Sequence, residues 1–377
     1  MDKRKSPDIK NDYLFHRCYI CHRPLTAGTG DTMCPSCRQV NTWKRDLFLA
    51  GNKTLSGVIV LVTGGRIKIG YETCLSLLRK GATVFATTRF PIDAIQRYSK
   101  EKDYSEWADR LMVYGIDFRD IREVEKMIHW INTRLPHLDI LINNAAQTIA
   151  RPEEYYQYLN TLEDRERNCL PKNEQKHLLN TSKPETFCNG FLKKCLPDMN
   201  VDENGFLTDF RHQNSWTSRV WDISTKEMLE VQLVNVTVPF LLCSRLTGLM
   251  VKSPFRKHFI INVSSMEGRF SKRNKNAFHP HTNMAKAALN MLTRTIAESY
   301  HLLGIYVNSV DTGWVTDENP YPIYKRNKEL GFRPPLDAID GAARICDPFL
   351  FYFENKDSGQ KEPDYGKFLK DFHPINW

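Results

Sequence analysis

Short apolar runs alternate with amphipathic segments from about residue 55 to about residue 315. Continuous apolar runs that end in glycine or small polar residues are typical of strands buried on both faces. Such runs stand at 58–65, 82–89, 111–118, 138–146, 258–265 and 305–310. Helical apolar spacing separates them, for example over 121–135 and from Thr282 to about Gly304. The alternation predicts a doubly wound α/β fold with a parallel sheet covered on both faces.

The alternation is interrupted by a polar stretch, residues 151–220, which we call the insert. It is followed by Ser224 and Glu227, spaced as a capping box that starts an apolar helix. A loop this long is usually functional, and it leaves the sheet edge where ligands bind. We therefore expect the insert to form a lid anchored by its aromatic residues Tyr155, Tyr156, Tyr158 and Trp216, one of whose tyrosines could also supply a phenol. The C-terminal segment, 316–377, is expected to form a further lid and an edge strand.

Four cysteines near the N-terminus have the spacing C-x2-C-x12-C-x2-C: Cys18, Cys21, Cys34 and Cys37. Two such pairs can close tetrahedrally on one ion, and thiolates with this geometry suit structural zinc. A redox-active disulfide pair is the alternative. We expect a polar tail over 1–17, a ribbon-like cysteine module over 18–50 and one large domain over 51–377. The module is expected to dock on that domain or to recruit a protein partner, rather than to bind nucleic acid.

Composition changes this picture little. The chain has 377 residues and a net charge of +9, but its basic residues are dispersed among 44 acidic ones. This distribution does not indicate a nucleic-acid surface. No apolar run approaches the length of a membrane span, and the N-terminus lacks the apolar stretch of a secretory signal. We expect no membrane association and a cytoplasmic location, with the nucleus as the alternative.

The first strand runs into "TGGRIKIG", Thr63 to Gly70, which opens a helix. Glycine turns at this point let backbone N–H groups and the helix N-terminus face a pyrophosphate. The second strand ends at Arg89, where an NAD site would place a carboxylate for the ribose hydroxyl. Because Arg66 and Lys68 add two more cations, the sequence favours NADP(H) over NAD(H).

Five segments resemble, in order and spacing, the motifs of the short-chain dehydrogenase/reductase family: "TGGRIKIG", "DILINNAA", "INVSSMEG", "NMAKAALNMLTRT" and "VNSVDTGWVT". The resemblance covers about 55–315, apart from the insert, with Thr312 where the family usually has proline. It implies hydride transfer between a nicotinamide and a carbonyl or alcohol substrate, and a homo-oligomer paired through the helices that carry Asn235 and Lys286. Together, the loop, the second strand and the resemblance predict these cofactor contacts: Thr63, Gly64, Arg66, Lys68, Ile69, Gly70, Arg89, Asp117, Phe118, Asn144, Ala145, Ala146, Lys286 and Thr316.

The resemblance also implies the reacting groups. Ser265 matches the serine that orients the carbonyl, with Ser264 as the alternative register. Asn235 matches the relay asparagine and Lys286 the lysine, but Thr282 stands where the family has its proton-donating tyrosine. An aliphatic hydroxyl is far too weak an acid for this role.

Three interpretations of Thr282 remain open. His281 or His279 could donate the proton, because histidine titrates near neutrality. Water relayed by Asn235 and Lys286 could supply it instead. The third is a catalytically silent NADP(H)-binding scaffold that recruits partners through the cysteine module and the insert. We predict an NADP(H)-dependent oxidoreductase with an atypical proton donor.

Overall fold

The computed structural model describes residues 17–25, 31–52, 54–167, 169–180, 202, 204–272, 275–354 and 362–377. Apart from its last residue, the predicted tail lies outside these ranges. So does part of the insert.

A single eight-stranded sheet forms the centre of the molecule. Its strands are β1 (Ile59–Thr63), β2 (Thr83–Thr88), β3 (Leu111–Gly115), β4 (Ile140–Asn143), β5 (His258–Ser264), β6 (Ile305–Asp311), β7 (Phe368–Lys370) and β8 (His373–Ile375). They lie in the order β3-β2-β1-β4-β5-β6-β7-β8. All neighbours are parallel except β8, which runs antiparallel to β7. The predicted doubly wound α/β fold is confirmed, and each of the six predicted strands is present.

The described helices are α1 (Pro35–Leu49), α2 (Lys68–Arg79), α3 (Pro91–Ser99), α4 (Tyr104–Trp107), α5 (Ile121–Arg134), α6 (Gln157–Glu166), α7 (Lys172–Gln175), α8 (Thr225–Gln232), α9 (Val238–Met250), α10 (Pro280–His301), α11 (Tyr321–Glu329) and α12 (Ala338–Glu354). Helices α2, α3 and α12 bury apolar residues with one face of the sheet. Helices α5 and α9 do so with the other face, joined by part of α10. Strand order reverses between β1 and β4, and this switch point positions the ligand crevice at the carboxyl ends of the strands.

The insert contributes to both the sheet edge and a helical face. The backbone around Leu178 pairs in parallel with Val113 of the edge strand β3, and Asn180 bonds both backbone groups of Gly115. Helix α6 packs on α3, where the carboxylate of Glu163 accepts the N–H groups of Ile92 and Asp93 at 3.0 and 2.9 Å. An exposed edge strand is thereby covered by the chain itself.

A continuous helical segment, Thr225–Met250, joins α8 to α9 through a π-helical turn at Leu233–Thr237. Ser224 caps α8 as predicted, accepting the N–H of Glu227 at 3.1 Å. Pro239 has no N–H for the carbonyl of Asn235 four residues earlier, which accounts for the irregular turn. The segment has the length and hydropathy of a membrane span, which we did not expect, but half of its most apolar window is buried in the protein, as in a core helix.

The cysteine module lies against the sheet domain. Helix α1 packs on α12, and Asn41 donates to Asp340 at 2.9 Å. The module's small apolar core includes Leu336 from the C-terminal segment and borders Val315 in the loop after β6. The second cysteine pair opens α1 with Pro35 at its first position, rather than continuing in a β-ribbon.

The C-terminal segment differs from a simple lid. Helix α12 covers the sheet and packs on α2, and β7 and β8 extend the sheet beyond β6. Only the part around α11 lies toward the insert, where the N–H of Tyr321 bonds the carbonyl of Asp209.

Candidate active site

The loop between β1 and α2 has a shape that depends on its small residues. Gly64 adopts φ +74°, which favours glycine. A Cβ on Gly70 would overlap the carbonyl oxygen of Gly64 and lie 2.6 Å from Nδ2 of Asn144. Lys68 also has a left-handed φ, +52°, at the start of α2. The loop therefore brings backbone close to the crevice at the N-terminus of a helix, where an anion is favoured.

A cavity of about 500 Å³ opens beside this loop. Most of the predicted residues line it: Gly64, Arg66, Lys68, Ile69, Gly70, Arg89, Asp117, Phe118, Asn144, Ala145, Ala146, Ser265, Thr282, Lys286 and Thr316. Three predicted residues do not line it, namely Thr63, Asn235 and His281. The glycine loop and the predicted reacting groups thus share one cavity.

Thr63 does not line the cavity but hydrogen-bonds the backbone of residues that do. Its hydroxyl accepts the N–H groups of Asn144 and Ala145, each at 2.9 Å, and donates to the carbonyl of Ile142. The side chain of Asn144 in turn donates to the carbonyls of Thr63 and Gly64 at 2.9 and 3.2 Å. These bonds hold the ends of β1 and β4 together, so Thr63 positions the loop rather than contacting a ligand.

Arg89 lies at the end of β2, with its guanidinium 4.5 Å from the ring centre of Tyr156. Among the described residues it forms no ion pair. Asp117 lines the same end of the cavity but is bound by Arg119 at 2.6 Å. Burial alone would raise the pKa of Asp117, but the hydrogen bonds from Arg119 and the charge of Arg89 outweigh it and lower the pKa. Arg89 is the cation left available at this end.

Arg66 does not extend toward a ligand in the way we expected. Its guanidinium is buried, pairs with Asp93 at 2.6 Å and donates to the carbonyl of Asn204 at 2.8 Å. It also lies 4.9 Å from the ring centre of Phe206. Its charge is largely compensated, and its main role is to join the glycine loop to α3 and the insert.

Ser265, Thr282 and Lys286 meet at the other end of the cavity. Thr282 and Lys286 lie one turn apart on α10, so both side chains face the same side. Thr282 is 4% exposed, and its hydroxyl has no hydrogen-bond partner among the described residues. Lys286 donates to the carbonyl of Val263 at 2.8 Å. Burial lowers the pKa of Lys286 to about 8, against the opposing charge of Asp311.

Neither histidine is brought to this group. Nε2 of His281 is 3.1 Å from Glu227, away from the cavity, because adjacent residues of a helix point in different directions. The ring of His279 stacks on Trp216 with centres 4.0 Å apart, and its Nδ1 bonds Asn283. The prediction that His281 could be a proton donor is wrong for this geometry. Ser264 is also occupied, since it donates to Asn290 at 2.6 Å.

Asn235 is buried in the π-helical turn and holds the chain after β4. Its Oδ1 accepts the N–H of Gln147 at 2.7 Å, and its Nδ2 donates to the carbonyl of Gln147 at 3.1 Å. Both amide groups are therefore committed to backbone. The side chain positions the cavity wall and does not reach the reacting end.

The cavity is also lined by residues that the sequence did not predict, among them Arg151 and Phe206 from the insert and Glu318 from the C-terminal segment. Only the position of the insert after β4 hinted at the first two. Of the four aromatic residues predicted to anchor the insert, Tyr156 and Trp216 line the cavity. Tyr156 lies beside Arg89 and Phe90, at the end opposite Lys286, so it does not replace the missing phenol.

Family comparisons agree with this geometry. A model described as short chain dehydrogenase matches residues 58–162, and one described as Enoyl-(Acyl carrier protein) reductase matches residues 201–331. The two matches together cover more than half of the chain. The chain belongs to the short-chain dehydrogenase/reductase family.

Relatives of known sequence include an uncharacterized protein of Acanthamoeba polyphaga mimivirus. It is 32% identical over an alignment of 368 positions that covers 93% of this chain and 74% of that protein. A (+)-neomenthol dehydrogenase of Capsicum annuum is 38% identical over 96 residues, 25% of this chain and 30% of that enzyme. A (-)-isopiperitenone reductase of Mentha piperita matches over 27% of its own length. These two named enzymes are thus matched over less than a third of their length.

Solved structures share the fold at low sequence identity. A short chain dehydrogenase from Burkholderia cenocepacia in complex with NADP is 18% identical with a TM-score of 0.53, covering 84% of this chain and 97% of that one. A short chain dehydrogenase from Escherichia coli complexed with NADPH is 17% identical, also with a TM-score of 0.53, covering 85% and 98%. At this identity the likeness supports the short-chain dehydrogenase/reductase fold alone.

The four cysteines of the module form a second cluster, outside the cavity. Their sulfur atoms all lie within 4.8 Å of one another, and Sγ of Cys21 is 3.6 Å from Sγ of Cys34. This spacing exceeds a disulfide bond and suits thiolates around one ion. Hydrogen bonds from Ser36 and from the backbone of Cys37 lower the pKa of Cys34 to about 6, whereas burial and hydrogen bonds with the other three thiols raise the pKa of Cys37. The four thiols thus share protons within one cluster. The donor set fits zinc.

Proposed function

We propose that this protein is an NADP(H)-dependent oxidoreductase that acts on a carbonyl or alcohol substrate. The observation that carries the proposal is the single cavity shared by the glycine loop, Arg89 and the group of Ser265, Thr282 and Lys286. Gly70 approaches Gly64 closely, and the buried hydroxyl of Thr282 has no hydrogen-bond partner within the described part of the chain. Both features fit a ligand that supplies polar partners along this cavity. When bound, the nicotinamide would give a hydride to the substrate carbon, or accept one from it.

The choice of NADP(H) rests on the end of β2. Arg89 is a cation without an ion pair among the described residues, and the nearby Asp117 is bound by Arg119. A guanidinium suits a 2′-phosphate, whereas an NAD site offers a carboxylate to the ribose hydroxyls.

The proton source that we propose is Lys286, acting through water held by Thr282. His281 is turned away, Asn235 is committed to backbone, and Glu267 is paired with Lys272 and Lys275. Among the described residues that line this end of the cavity, Lys286 is therefore the titratable group left available beside Ser265 and Thr282. Threonine is smaller than tyrosine, so water can occupy the space of the missing ring and bond the free hydroxyl. In the reductive direction Ser265 orients the carbonyl oxygen, the water donates its proton, and Lys286 replaces that proton. The reaction is then the family's hydride transfer, with water and Lys286 in place of the tyrosine phenol.

The pH dependence follows from the lysine. A proton donor must be protonated, and the pKa of Lys286 is about 8. The turnover number for reduction should therefore be flat below that pH and fall above it. The measurement is NADPH oxidation over a panel of aliphatic, aromatic and cyclic aldehydes and ketones, repeated across pH for any substrate that turns over.

Thr282→Val tests whether the hydroxyl of Thr282 holds the proton-donating water. Valine keeps the shape and removes a hydroxyl without a protein partner, so the thermal stability should be unchanged or higher. NADPH binding should persist while turnover falls roughly 100-fold, the usual contribution of a positioned proton donor. Thr282→Ser, which keeps the hydroxyl, should retain most activity.

Two outcomes contradict the proposal. Equal turnover in wild type and Thr282→Val would remove threonine from the reaction. Tight NADPH binding without turnover on any carbonyl or alcohol would instead favour the silent scaffold.

For the cysteine module we propose a structural zinc ion. The four sulfur atoms already converge, and a complete shell of four thiolates leaves no open position for catalysis. The module docks on the sheet domain through α1, which favours a structural role over nucleic-acid binding.

A further inference from the structure

Arg151, at the start of the insert, is partly buried and has one buried guanidinium nitrogen without a hydrogen-bond partner among the described residues. Its Nη1 atom is buried and makes no hydrogen bond within the described residues, where Arg151 also forms no ion pair. Its guanidinium lies 4.7 Å from the ring centre of Phe206 and lines the cavity. A buried guanidinium nitrogen without an acceptor is costly, so this position calls for a ligand that brings one.

Phe206 locates Arg151 relative to the glycine loop. The same ring lies 4.9 Å from the guanidinium of Arg66, which belongs to that loop. Lys68, also in the loop, is 3.6 Å from Glu318, and the charge of Arg151 acts on the same carboxylate. Arg151 thus faces the loop and the N-terminus of α2 from the insert side of the cavity.

The charges of the cavity wall divide into compensated and uncompensated ones. Arg66 pairs with Asp93, Lys68 with Glu318, and Asp117 with Arg119. Among the described cations that line the cavity, Arg89 and Arg151 are the two guanidinium groups that lack an ion pair. NADP(H) carries two separate anionic groups, a 2′-phosphate and a pyrophosphate. Arg89 stands at the adenosine end, so Arg151 matches the pyrophosphate.

We infer that Arg151 binds the pyrophosphate of the nicotinamide cofactor, from the side opposite the glycine loop. The insert thereby contributes a ligand to cofactor binding and is more than a cover. Arg151 and the glycine loop grip the diphosphate between them, and Phe206 holds the guanidinium in place by a cation–π contact. The inference rests on the proposed function, since it requires that the cavity binds this cofactor.

The test uses three ligands of the full chain: NADP⁺, NAD⁺ and adenosine 2′-monophosphate. The first two contain the pyrophosphate, and the third contains only the 2′-phosphate. Arg151→Gln should weaken NADP⁺ and NAD⁺ by the same factor, roughly 10- to 100-fold for a lost charge-assisted hydrogen bond. The affinity for adenosine 2′-monophosphate should stay within about twofold of the wild-type value, measured by calorimetry or by competition.

Arg89→Ala should show the reverse pattern, with losses for NADP⁺ and adenosine 2′-monophosphate and none for NAD⁺. Arg165→Gln is a charge-matched control, because Arg165 is an exposed residue of the same insert paired with Glu166. It should leave the affinities for all three ligands unchanged. Retained binding of adenosine 2′-monophosphate shows that Arg151→Gln is folded.

Several results would overturn the inference. If Arg151→Gln loses affinity for NADP⁺ alone, Arg151 contacts the 2′-phosphate. If the affinities for all three ligands fall equally, the role of Arg151 is structural. If none of the affinities falls, Arg151 is not part of the site. If the wild-type chain binds none of the three ligands, the proposed function fails, which is distinct from failure at Arg151.

Discussion

At the residue scale, the site depends on which polar groups are already satisfied within the protein. Arg66, Asn235 and His281 were all plausible ligands or donors from their positions in the chain. Each is instead bound by a neighbour: Arg66 by Asp93, Asn235 by Gln147, and His281 by Glu227. What remains available to a ligand is a smaller set in which Arg89 and Thr282 stand out.

The preference for NADPH over NADH should depend on Arg89. Arg89→Ala should weaken NADPH binding roughly 10- to 100-fold, because it removes one charge-assisted contact to the 2′-phosphate. NADH binding should change by less than about twofold. Dissociation constants from quenching of protein fluorescence measure both. Equal losses for the two cofactors would contradict the assignment of the β2 end.

The side chains that are free to bind a ligand were the hardest feature to predict from the sequence. The motifs place Ser265, Thr282 and Lys286 together, since strand ends and one helix face bring them there. Whether a side chain is free depends on contacts across long sequence separations, such as Gln147 with Asn235. Arg151 illustrates the limit, because no periodic pattern or motif in the insert distinguishes it from its exposed neighbours.

At the scale of elements, the cysteine module is coupled to the cavity wall through one tyrosine. The hydroxyl of Tyr19, next to Cys18, accepts the N–H of Trp314 at 2.8 Å. Trp314 belongs to the loop after β6 that includes Thr312 and Thr316 and lines the cavity. Burial, together with the charges of Asp311 and Asp371, raises the pKa of Tyr19, so its phenol stays protonated. The module therefore supports the loop that we expect to contact the nicotinamide.

Removal of the metal should thus affect more than the module. The chain should hold about one zinc per molecule, lost when Cys34 and Cys37 are replaced by serine. NADPH affinity should then fall several-fold together with the midpoint of thermal unfolding, as Tyr19 releases Trp314. Metal analysis and calorimetry of NADPH binding measure the two effects.

Single variants separate this coupling from general destabilisation. Tyr19→Phe leaves the N–H of Trp314 unpaired and should reproduce the loss of affinity with the metal retained. Tyr300→Phe removes a comparable, partly buried hydroxyl that is bonded to Cys243 and Thr247 away from the cavity, and it should lower stability alone. The coupling is contradicted if the wild-type chain holds no metal, or if Tyr19→Phe binds NADPH with wild-type affinity.

Elements were more predictable from sequence than side-chain contacts. The six apolar runs became β1 to β6, and Ser224 caps its helix, because buried strands and caps are local patterns. The ribbon expected for the module and the lid expected for 316–377 were wrong in part. Pro35 starts a helix in the first case, and in the second the apolar face of α12 packs on the sheet.

At the scale of the whole molecule, the sheet provides a fixed frame and two added parts complete its cavity. The insert reaches the cavity from the β3 edge and α3, with Arg151, Tyr156 and Phe206 in the wall. The cysteine module approaches from the other side, through α12 and the loop after β6. Both parts lie outside the motifs of the short-chain dehydrogenase/reductase family, yet both act on the same cofactor-sized space.

The most direct test is a crystal structure of the full chain with NADP⁺. We expect the 2′-phosphate on Arg89, the pyrophosphate between the glycine loop and Arg151, and the nicotinamide beside Ser265. We also expect an ordered water bonded to Oγ1 of Thr282, on a path to Nζ of Lys286. A nicotinamide facing a dry, apolar wall, or NADP⁺ absent from this cavity, would refute the proposed oxidoreductase function.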